Sequence, residues 1–417
     1  MFHGLLNRRP MSAVHPGGND QARIVLLASA ILLHGAFGLP APQTFGPAEM
    51  AVGICLVAAA GMGAMLRLGS GAMLCAAGPA WVVVGAASFA WLFWIPLLRG
   101  VMAGHALDDV IRDVVPLGFL FLPLLLAPGL ARAGPRAVGA LATALALAGV
   151  LIAARWLLPG APAGTAPERY LPNDPAVLFA AIWLPAVGFR LAHRLSAWPG
   201  AAILAAAGLF CLAAPILQVN RSASLTAVAA LLTAFAWQWR SARLAGTCAL
   251  AAVGLAVWMR PDLVSLTTRA FVVKTEMFGT NGRLVELTAV VGHVAATWDG
   301  ILFGAGWGAL LRNPAVGDWW VSYTHGLPGY LLFKSGLAGV FAAGAWAACL
   351  LPKMLRTLRR DLALGLAVVA PLLVGGIVHT GYKYLCYGLL LTILVLADDG
   401  PMRKAAQFKS ENGDVVR

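Results

Sequence analysis

The sequence predicts an all-α integral membrane protein with about 12 transmembrane helices and one long periplasmic loop that contains helices of its own. Three observations lead to this fold class. Of the 417 residues, 60% are hydrophobic and 11% are charged, whereas a typical soluble domain is about 25% charged. Apolar stretches close to the roughly 20 residues that a helix needs to cross a bilayer recur along most of the chain. A single interval of 68 residues, 259–326, interrupts them.

Twelve apolar runs define the predicted helices. The N-terminus is polar and basic, as a secretory signal would be, but further apolar runs follow at once. The run from Ile24 is therefore predicted to be a retained first helix. The runs lie near residues 24–39, 47–66, 72–98, 114–131, 136–158, 175–189, 198–219, 223–239, 244–258, 327–351, 362–378 and 384–397.

These runs divide the chain into five predicted segments. Residues 1–23 form a cytoplasmic N-terminal segment, and residues 24–258 carry transmembrane helices 1 to 9. Residues 259–326 form the long periplasmic loop. Residues 327–399 carry transmembrane helices 10 to 12, and residues 400–417 form a cytoplasmic tail.

Basic residues predict the orientation of these helices in a bacterial inner membrane. With the N-terminus in the cytoplasm, 18 of the 30 Lys and Arg residues fall on the cytoplasmic side and 12 on the other side. Six of those 12 lie in or just after the long loop, where translocation is less sensitive to charge. The remaining ratio of 18 to 6 predicts cytoplasmic termini and a periplasmic loop.

The same composition argues against other classes of protein. A net charge of +13 could indicate nucleic-acid binding, but the basic residues separate apolar runs and form no patch on a soluble module. Membrane lipids, and not nucleic acid, are therefore the predicted surroundings. The six cysteines fall within or at the edges of apolar runs without a CxxC pair. They are predicted to be buried thiols, and no metal or cofactor is expected.

The long loop is the most informative segment, because loops of this length tend to be functional. Thr280 or Asn281 can cap a helix that starts near Gly282, in GRLVELTAVVGHVAATW. The stretch LFGAGWGALL follows. It lacks the GK[ST] ending of a phosphate-binding P-loop, so it is predicted to be a turn that lets backbones approach closely. The aromatic segment DWWVSYTH then leads into the tenth membrane helix.

Three residues are the candidates for chemistry. Arg221, in QVNRSASL, lies at the outer mouth of the seventh and eighth helices, where it could bind an anion or simply extend its side chain to water. Arg283 shares a helical face with Leu287, and pairing with Glu286 at the protein surface is its non-functional interpretation. His325, at the start of the tenth membrane helix, is a titratable group between water and lipid, although such histidines are often structural.

Other candidates rank below these. His293 and His379 are predicted core histidines. Three aspartates in GHALDDVIRDV could hold the metal of a metal-dependent transferase, but a solvated loop with Arg112 as counter-charge is the favoured interpretation. These aspartates are Asp108, Asp109 and Asp113.

Four segments together resemble the O-antigen ligase and O-antigen polymerase superfamily: RSASL, RLVEL, LFGAGWG and HGLPGYLLFKSGLAG. The resemblance covers roughly the C-terminal half of the chain. Arg283 and Leu287 match the pattern of an arginine, three residues and a leucine. His325, Gly336 and Gly339 match a second pattern, in which a histidine precedes a pair of spaced glycines.

One position departs from the family pattern. Gly326 stands where the family usually has a side-chain amide or hydroxyl, so any hydrogen bond from that side chain is missing here. The N-terminal half matches the family only in its series of helices.

The resemblance implies a metal-independent glycosyltransferase of the periplasmic face, without a cofactor. Its donor would be an undecaprenyl-diphosphate-linked glycan, and its acceptor lipid A-core or another glycan. The implied catalytic residues are His325, Arg283 and Arg221, with Arg221, Arg283, Tyr323 and Gly326 binding substrate. Arginines suit this role because they can bind a departing diphosphate with two hydrogen bonds. A neutral histidine can accept the proton of the acceptor hydroxyl, and a single displacement would invert the anomeric centre.

Three alternatives stay open at this point. A repeat-unit polymerase of the same superfamily would differ only in its acceptor. A flippase or transporter would also have a dozen helices, but should carry charged or broken segments at the membrane midplane. A structural scaffold would give no reason for the long loop.

Overall fold

The computed structural model of the chain is 84% helical. The predicted tail 400–417, most of the predicted N-terminal segment and the predicted cap residues Thr280 and Asn281 lie outside the residues that it describes. The described residues are 18–39, 46–75, 78–159, 167–192, 195–259, 261–279 and 282–398.

Sixteen α-helices and one short hairpin make up the described part of the chain. The first ten helices are α1 (Gly18–Phe37), α2 (Pro47–Ala60), α3 (Met62–Gly69), α4 (Ala80–Met102), α5 (Leu107–Leu120), α6 (Leu122–Leu130), α7 (Pro135–Leu157), α8 (Pro175–Leu191), α9 (Trp198–Leu217) and α10 (Arg221–Met259). They are followed by α11 (Pro261–Phe278), α12 (Arg283–Val294), α13 (Trp298–Phe303), β1 (Leu311–Asn313), β2 (Trp319–Val321), α14 (Leu327–Arg360), α15 (Leu362–Leu373) and α16 (Leu385–Asp398).

Among the residues that the structure describes, six helices are long and apolar enough to cross a membrane, or seven if the bent pair α2 and α3 counts as one span. This is the pattern of a multi-pass membrane protein, whereas the predicted count of about 12 is not confirmed. Several predicted runs form shorter helices, such as α8 and α16. Nearly every residue of α16 is buried. This helix is apolar on all sides because it lies inside the bundle.

The eighth and ninth apolar runs form one helix, α10, although the sequence predicted a connection at Arg240 and Arg243. That connection contains no proline, and its Ala, Arg and Leu residues favour a helix. A straight helix of 39 residues would span about 57 Å. The 18 residues of α11 span about 27 Å, yet Arg221 at the start of α10 contacts Thr275 near the end of α11. Helix α10 is therefore bent.

The predicted glycine-rich turn packs against a proline-containing turn of α4. Pro96 has no N–H, so the carbonyl of Leu92 has no helical donor. That carbonyl accepts a hydrogen bond from the indole Nε1 of Trp307 at 3.1 Å. The Trp307 backbone N–H donates to the Pro96 carbonyl at 2.9 Å. The close backbone approach expected from the glycines is thus observed.

The same turn fills a break in α14. Gly336 has φ 65°, which frees the carbonyls of Phe333 and Lys334 from the helical ladder. They accept hydrogen bonds from Ala305 and Gly306 of the turn, at 2.8 and 3.0 Å. A Cβ atom at Gly336 would collide with the carbonyl group of Leu302 on α13. One glycine of the second sequence pattern therefore has a structural reason, the docking of the turn.

Candidate functional site

Four basic side chains line a pocket of about 430 Å³ at the end of the bundle where α8, α10 and α12 begin. We call this the cation pocket and define it by Arg169, Arg221, Lys274 and Arg283. Of the residues that the structure describes, no acidic one lines it. Concentrated positive charge beside low-dielectric walls attracts anions. The pocket is therefore suited to bind a strongly negative group.

Two of these cations are held by neutral oxygens across the gap between α10 and α11. The Arg221 guanidinium donates to the Thr275 hydroxyl at 2.8 Å and to the Gly279 carbonyl at 2.9 Å. Lys274 donates from Nζ to the carbonyl of Val219 at 2.7 Å. Burial lowers the pKa of Lys274, and Arg221 and Arg169 lower it further. The mutual repulsion of these cations is a cost that a bound anion would relieve.

Arg283 occupies the first turn of α12, directly after Gly282. Gly282 has φ 66°, and a Cβ atom there would lie 2.9 Å from the side chain of Ala315. The Arg283 guanidinium is largely buried, and its Nη1 has no hydrogen-bond acceptor among the described residues. Burial lowers the pKa of Arg283, although Glu286 and Tyr323 oppose this shift. Arg283 thus lines the pocket with a buried N–H donor that the described residues leave unsatisfied.

One helical turn after Arg283, Glu286 binds His325 in two ways. Its Oε1 lies 2.9 Å from the imidazole Nδ1, and its Oε2 accepts the backbone N–H of His325 at 3.0 Å. A carboxylate beside Nδ1 places the proton on that nitrogen and leaves the lone pair on Nε2. The result is a histidine oriented by a carboxylate, with Nε2 able to accept a proton.

The hairpin β1–β2 supports this pair. Its strands run antiparallel, and Asn313 at the end of β1 stands opposite Trp319. The Asn313 side chain donates to Glu286 Oε1 at 2.5 Å. Burial raises the pKa of Glu286, while the bond from Asn313 and the charge of Arg283 act in the opposite direction. The hairpin thus helps to keep a buried carboxylate ionised next to His325.

No protein-family model matches the chain, and no curated protein matches it.

The structure brings the three predicted catalytic residues to the same end of the bundle. Arg221 and Arg283 line the cation pocket, and His325 is connected to Arg283 through Glu286. Tyr323 lies beside this group, with its ring 5.9 Å from the imidazole of His325. Burial raises the pKa of Tyr323, which keeps its hydroxyl protonated at neutral pH.

Gly326 has a steric reason for lacking a side chain. A Cβ atom at this position would lie 2.8 Å from the carbonyl oxygen of Ile377. The backbone of Gly326 accepts hydrogen bonds from the Thr324 hydroxyl and from the Tyr330 N–H, both at 3.0 Å. A side chain with an amide or a hydroxyl, as is usual at this position in the O-antigen ligase family, would therefore not fit here unless the segment around Ile377 moved.

The acidic cluster does not form a metal site among the described residues. Asp109 pairs with Arg112 at 2.5 Å, as the non-functional interpretation predicted. Asp113, expected in a solvated loop, is instead fully buried in α5. It bonds to Lys334 at 2.5 Å, to the Tyr330 hydroxyl at 3.0 Å and to the Gly308 N–H at 2.9 Å. Loop prediction failed here because α5 begins at Leu107.

The two lower-ranked histidines have different surroundings. His293 packs its ring edge-on to Phe333, with centroids 5.4 Å apart. His379 lines the cation pocket, where Nε2 lies 2.9 Å from the Asn220 side-chain oxygen. Burial lowers the pKa of His379 to about 4, and Arg283 and Lys274 contribute to this shift. His379 is therefore neutral at neutral pH, and adds no charge to the pocket.

Sequence reasoning missed several residues of this site. Glu286 was considered only as a surface partner of Arg283, whereas it is buried and binds His325. Arg169 and Lys274 were counted only as basic residues of the outer face. The one available signal, and for Lys274 alone, was the group of six Lys and Arg residues in or just after the long loop, which the positive-inside rule does not explain.

Proposed function

We propose that this protein is a membrane glycosyltransferase that moves a glycan from an undecaprenyl-diphosphate carrier to an acceptor hydroxyl. One observation carries the proposal: a pocket with four cations and without an acidic residue in its described lining adjoins a histidine held by a carboxylate. The first feature suits a diphosphate, and the second suits removal of a proton from a hydroxyl. Resemblance of RLVEL and HGLPGYLLFKSGLAG to O-antigen ligases supports the same reaction.

The chemistry needs a proton acceptor and a charged group to receive the leaving anion. The hydroxyl oxygen of the acceptor glycan forms the new bond to the anomeric carbon. At the same time, the bond from that carbon to the diphosphate oxygen breaks. The bonding electrons leave with the diphosphate, whose growing charge Arg221 and Arg283 stabilise. The hydroxyl proton moves to Nε2 of His325, and Glu286 stabilises the resulting imidazolium through Nδ1. A single displacement of this kind inverts the anomeric centre.

A binding experiment tests the pocket without any knowledge of the glycan. We expect inorganic pyrophosphate to raise the melting temperature of the purified protein in detergent. A ligand at 100 times its Kd stabilises by about 2.7 kcal/mol. The double variant Arg221→Gln/Arg283→Gln should lose this effect, whereas Arg356→Gln, at the opposite end of the bundle, should retain it. Equal stabilisation of all three proteins would contradict a diphosphate site in this pocket.

Transfer itself is tested by reconstitution. The full chain is placed in proteoliposomes with an undecaprenyl-diphosphate-linked glycan, and either lipid A-core or a second lipid-linked repeat is offered. We favour lipid A-core, the acceptor of a ligase. Extension of the second repeat alone would indicate the polymerase reaction, and failure of both acceptors would overturn the proposal.

The proposal places the site on the periplasmic face of a bacterial inner membrane. Single-cysteine variants in a cysteine-free background test this. Thr288→Cys in α12 should react with an impermeant maleimide in intact spheroplasts. Arg359→Cys, near the other end of α14, should react only after permeabilisation. The opposite pattern would invert the topology.

A transport function is the second candidate, because one ion pair lies within the apolar helices. Asp113 and Lys334 are both fully buried, and α14 is broken close to this pair at Gly336. Buried charges in such helices often mark ion or substrate paths. Here the pair is fully hydrogen-bonded to the glycine-rich turn through Gly308 and Ala309. This arrangement favours a structural role. Transport of a lipid-linked glycan across the membrane of vesicles that contain this protein alone, and not across that of vesicles without it, would be the contrary result.

A further inference from the structure

A lysine outside the cation pocket shares a neighbouring tyrosine with His325. Lys383 ends the short 3₁₀ turn Thr380–Lys383 between α15 and α16. Its Nζ lies 4.3 Å from the centre of the Tyr330 ring and 5.5 Å from that of Tyr323. The Tyr323 ring is in turn 5.9 Å from the imidazole of His325. Lys383 and His325 are therefore both neighbours of one tyrosine, within reach of a single bound oligosaccharide.

Lys383 has aromatic neighbours but no acidic partner in the described part of the chain. Its side chain is half-buried, and its contacts there are the two cation–π interactions with Tyr323 and Tyr330. The neighbouring carboxylate, Asp113, already binds Lys334 at 2.5 Å. A partly desolvated ammonium without a counter-ion is costly, and an anionic ligand would remove that cost.

The charged and titratable groups around Lys383 come from four parts of the chain. Asp113 and Arg112 belong to α5, and Lys334 and Tyr330 belong to α14. Tyr323 lies between β2 and α14, and Tyr382 precedes Lys383 in the same turn. Arg112 is engaged with Asp109 at 2.5 Å. Lys383 thus faces two further cations and one carboxylate that is already paired.

We propose that Lys383 anchors an acceptor subsite, where it binds an anionic substituent of the acceptor glycan, a phosphate or a carboxylate. The inference rests on the proposed function, because it takes His325 as the group that receives the acceptor proton. Lys383 does not line the cation pocket, so the donor diphosphate and the acceptor anion have separate partners. An acceptor held at Lys383 presents its hydroxyl to His325 from the side of Tyr323.

The charge of Lys383 changes near neutral pH. Burial lowers the pKa of Lys383 to about 7, and Lys334 and Arg112 lower it while Asp113 opposes them. The amine is therefore protonated below about pH 7 and neutral above it, so acceptor binding should weaken as pH rises through this value. Arginine stays protonated throughout, so Lys383→Arg should remove the alkaline loss of acceptor affinity.

The principal experiment measures initial rates of transfer in proteoliposomes at saturating donor. The varied acceptors are lipid A-core oligosaccharide with its phosphates, the same oligosaccharide after phosphatase treatment, and the same after chemical reduction of its carboxylates. One of the two treatments removes the anion that Lys383 recognises. For that treated acceptor, the KM of the wild type should be about tenfold higher than for the untreated acceptor, as expected from the loss of one charge-assisted hydrogen bond. Lys383→Gln should give similar KM values for all three acceptors, with an unchanged KM for the donor.

Lys274→Gln is the matched control, because it removes a lysine from the cation pocket. It should raise the donor KM and keep the preference for the anionic acceptor. A preference that survives in Lys383→Gln, or a wild type without a preference, would overturn the acceptor subsite while leaving the proposed transfer intact.

A second measurement does not depend on turnover and so separates this inference from the proposed function. Trace acetylation followed by mass spectrometry reports the reactivity of each lysine amine in the full-length protein. The phosphorylated oligosaccharide should slow acetylation of Lys383, and the phosphatase-treated and carboxylate-reduced forms identify the anion responsible. If none of the oligosaccharides protects Lys383, the subsite is wrong even where transfer is observed. If Lys383 is protected but no transfer occurs, the site binds a glycan and the proposed reaction fails.

Discussion

Basic side chains gather at both ends of the helix bundle, but their surroundings differ. At the end opposite the cation pocket, Asp398 accepts hydrogen bonds from Lys353 at 3.2 Å and from Arg356 at 2.6 and 2.7 Å. Arg360 lies 3.6 Å from the same carboxylate. We call these four residues the Asp398 cluster. In the cation pocket, by contrast, the described contacts of Arg221 and Lys274 include bonds to neutral oxygens.

This difference distinguishes a structural use of charge from a binding use. The charge of the Asp398 carboxylate is already neutralised by cations of the protein. Its hydrogen bond with Arg356 connects α14 to α16 at that end. The described lining of the cation pocket contains four cations and no acidic residue, which favours the binding of an anion. The positive-inside rule explains why basic residues accumulate at the cytoplasmic face of a membrane. In the orientation that we propose, the cation pocket lies at the opposite face, so the rule does not explain it.

The largest expected effect is on stability, from Asp398→Asn. The variant removes the carboxylate that accepts a hydrogen bond from Lys353, and the side chains of this pair are only 7% and 5% exposed. Breaking a buried pair typically costs about 3–5 kcal/mol. We expect this loss in the free energy of unfolding in detergent, with normal transfer per folded molecule. Asp361→Asn, which breaks the more exposed pair with Arg190, should cost about 1 kcal/mol or less. Equal losses in both variants would remove the structural role of the Asp398 cluster.

The next effect is on turnover, from Arg283→Lys and Arg283→Ala. A guanidinium offers two parallel donors to phosphate oxygens, which a lysine ammonium cannot reproduce. Both variants should lose about 10²-fold or more in kcat, corresponding to about 3 kcal/mol, and both should reach the membrane at normal levels. Arg356→Lys in the Asp398 cluster should transfer normally. Near-normal transfer by Arg283→Lys would reduce the role to general electrostatics.

A smaller loss of rate is expected from Glu286→Gln. Removing the carboxylate weakens the orientation of His325, so we expect kcat to fall about tenfold to 10²-fold, at the lower end of general base catalysis. The acid limb of the rate profile should move to lower pH, because the imidazolium loses a neighbouring negative charge. A purely structural role would lower the rate without moving that limb. In a His325→Ala background, the additional change Glu286→Gln should lower kcat only slightly further.

A modest effect concerns the pH dependence of stability. The pKa of His379 is about 4 in the folded protein, below the unperturbed value of about 6.5. The folded state thus favours neutral His379, and its stability should fall as pH decreases from about 6.5 towards 4. His379→Asn should flatten this part of the curve by on the order of 1 kcal/mol, measured by thermal unfolding at several pH values. An identical slope in the variant would show that other groups control it.

The smallest expected effect is that of a chelator. The proposed site uses arginines and a histidine, so transfer in reconstituted vesicles should continue in EDTA. Lost activity that Mg²⁺ or Mn²⁺ restores would instead direct attention to acidic groups such as Asp108 and Asp109.

Several elements of the architecture were predictable from local pattern. Apolar runs of the right length indicated a helical membrane protein, because side chains in lipid must be apolar over about 20 residues. The helix predicted from about Gly282 is confirmed as α12, which begins at Arg283. The glycines of FGAGWG predicted a turn with close backbone approach. In the structure, Gly304, Gly306 and Gly308 all adopt positive φ.

Other elements were not predictable from such patterns. The number of spans depends on whether an apolar helix faces lipid or lies inside the bundle, and hydropathy is the same in both cases, as α16 shows. The continuity of α10 and the burial of Asp113 depend on packing between distant segments.

By itself, the sequence determined the membrane-protein class, the 68-residue interruption of the apolar runs and the identity of Arg221, Arg283 and His325 as candidates. Only the tertiary structure decided which groups face one another. Glu286 and His325 are 39 residues apart in sequence, and no periodicity relates them. A hydrogen bond requires atoms within about 3 Å, and only folding brings residues so far apart in sequence to that distance.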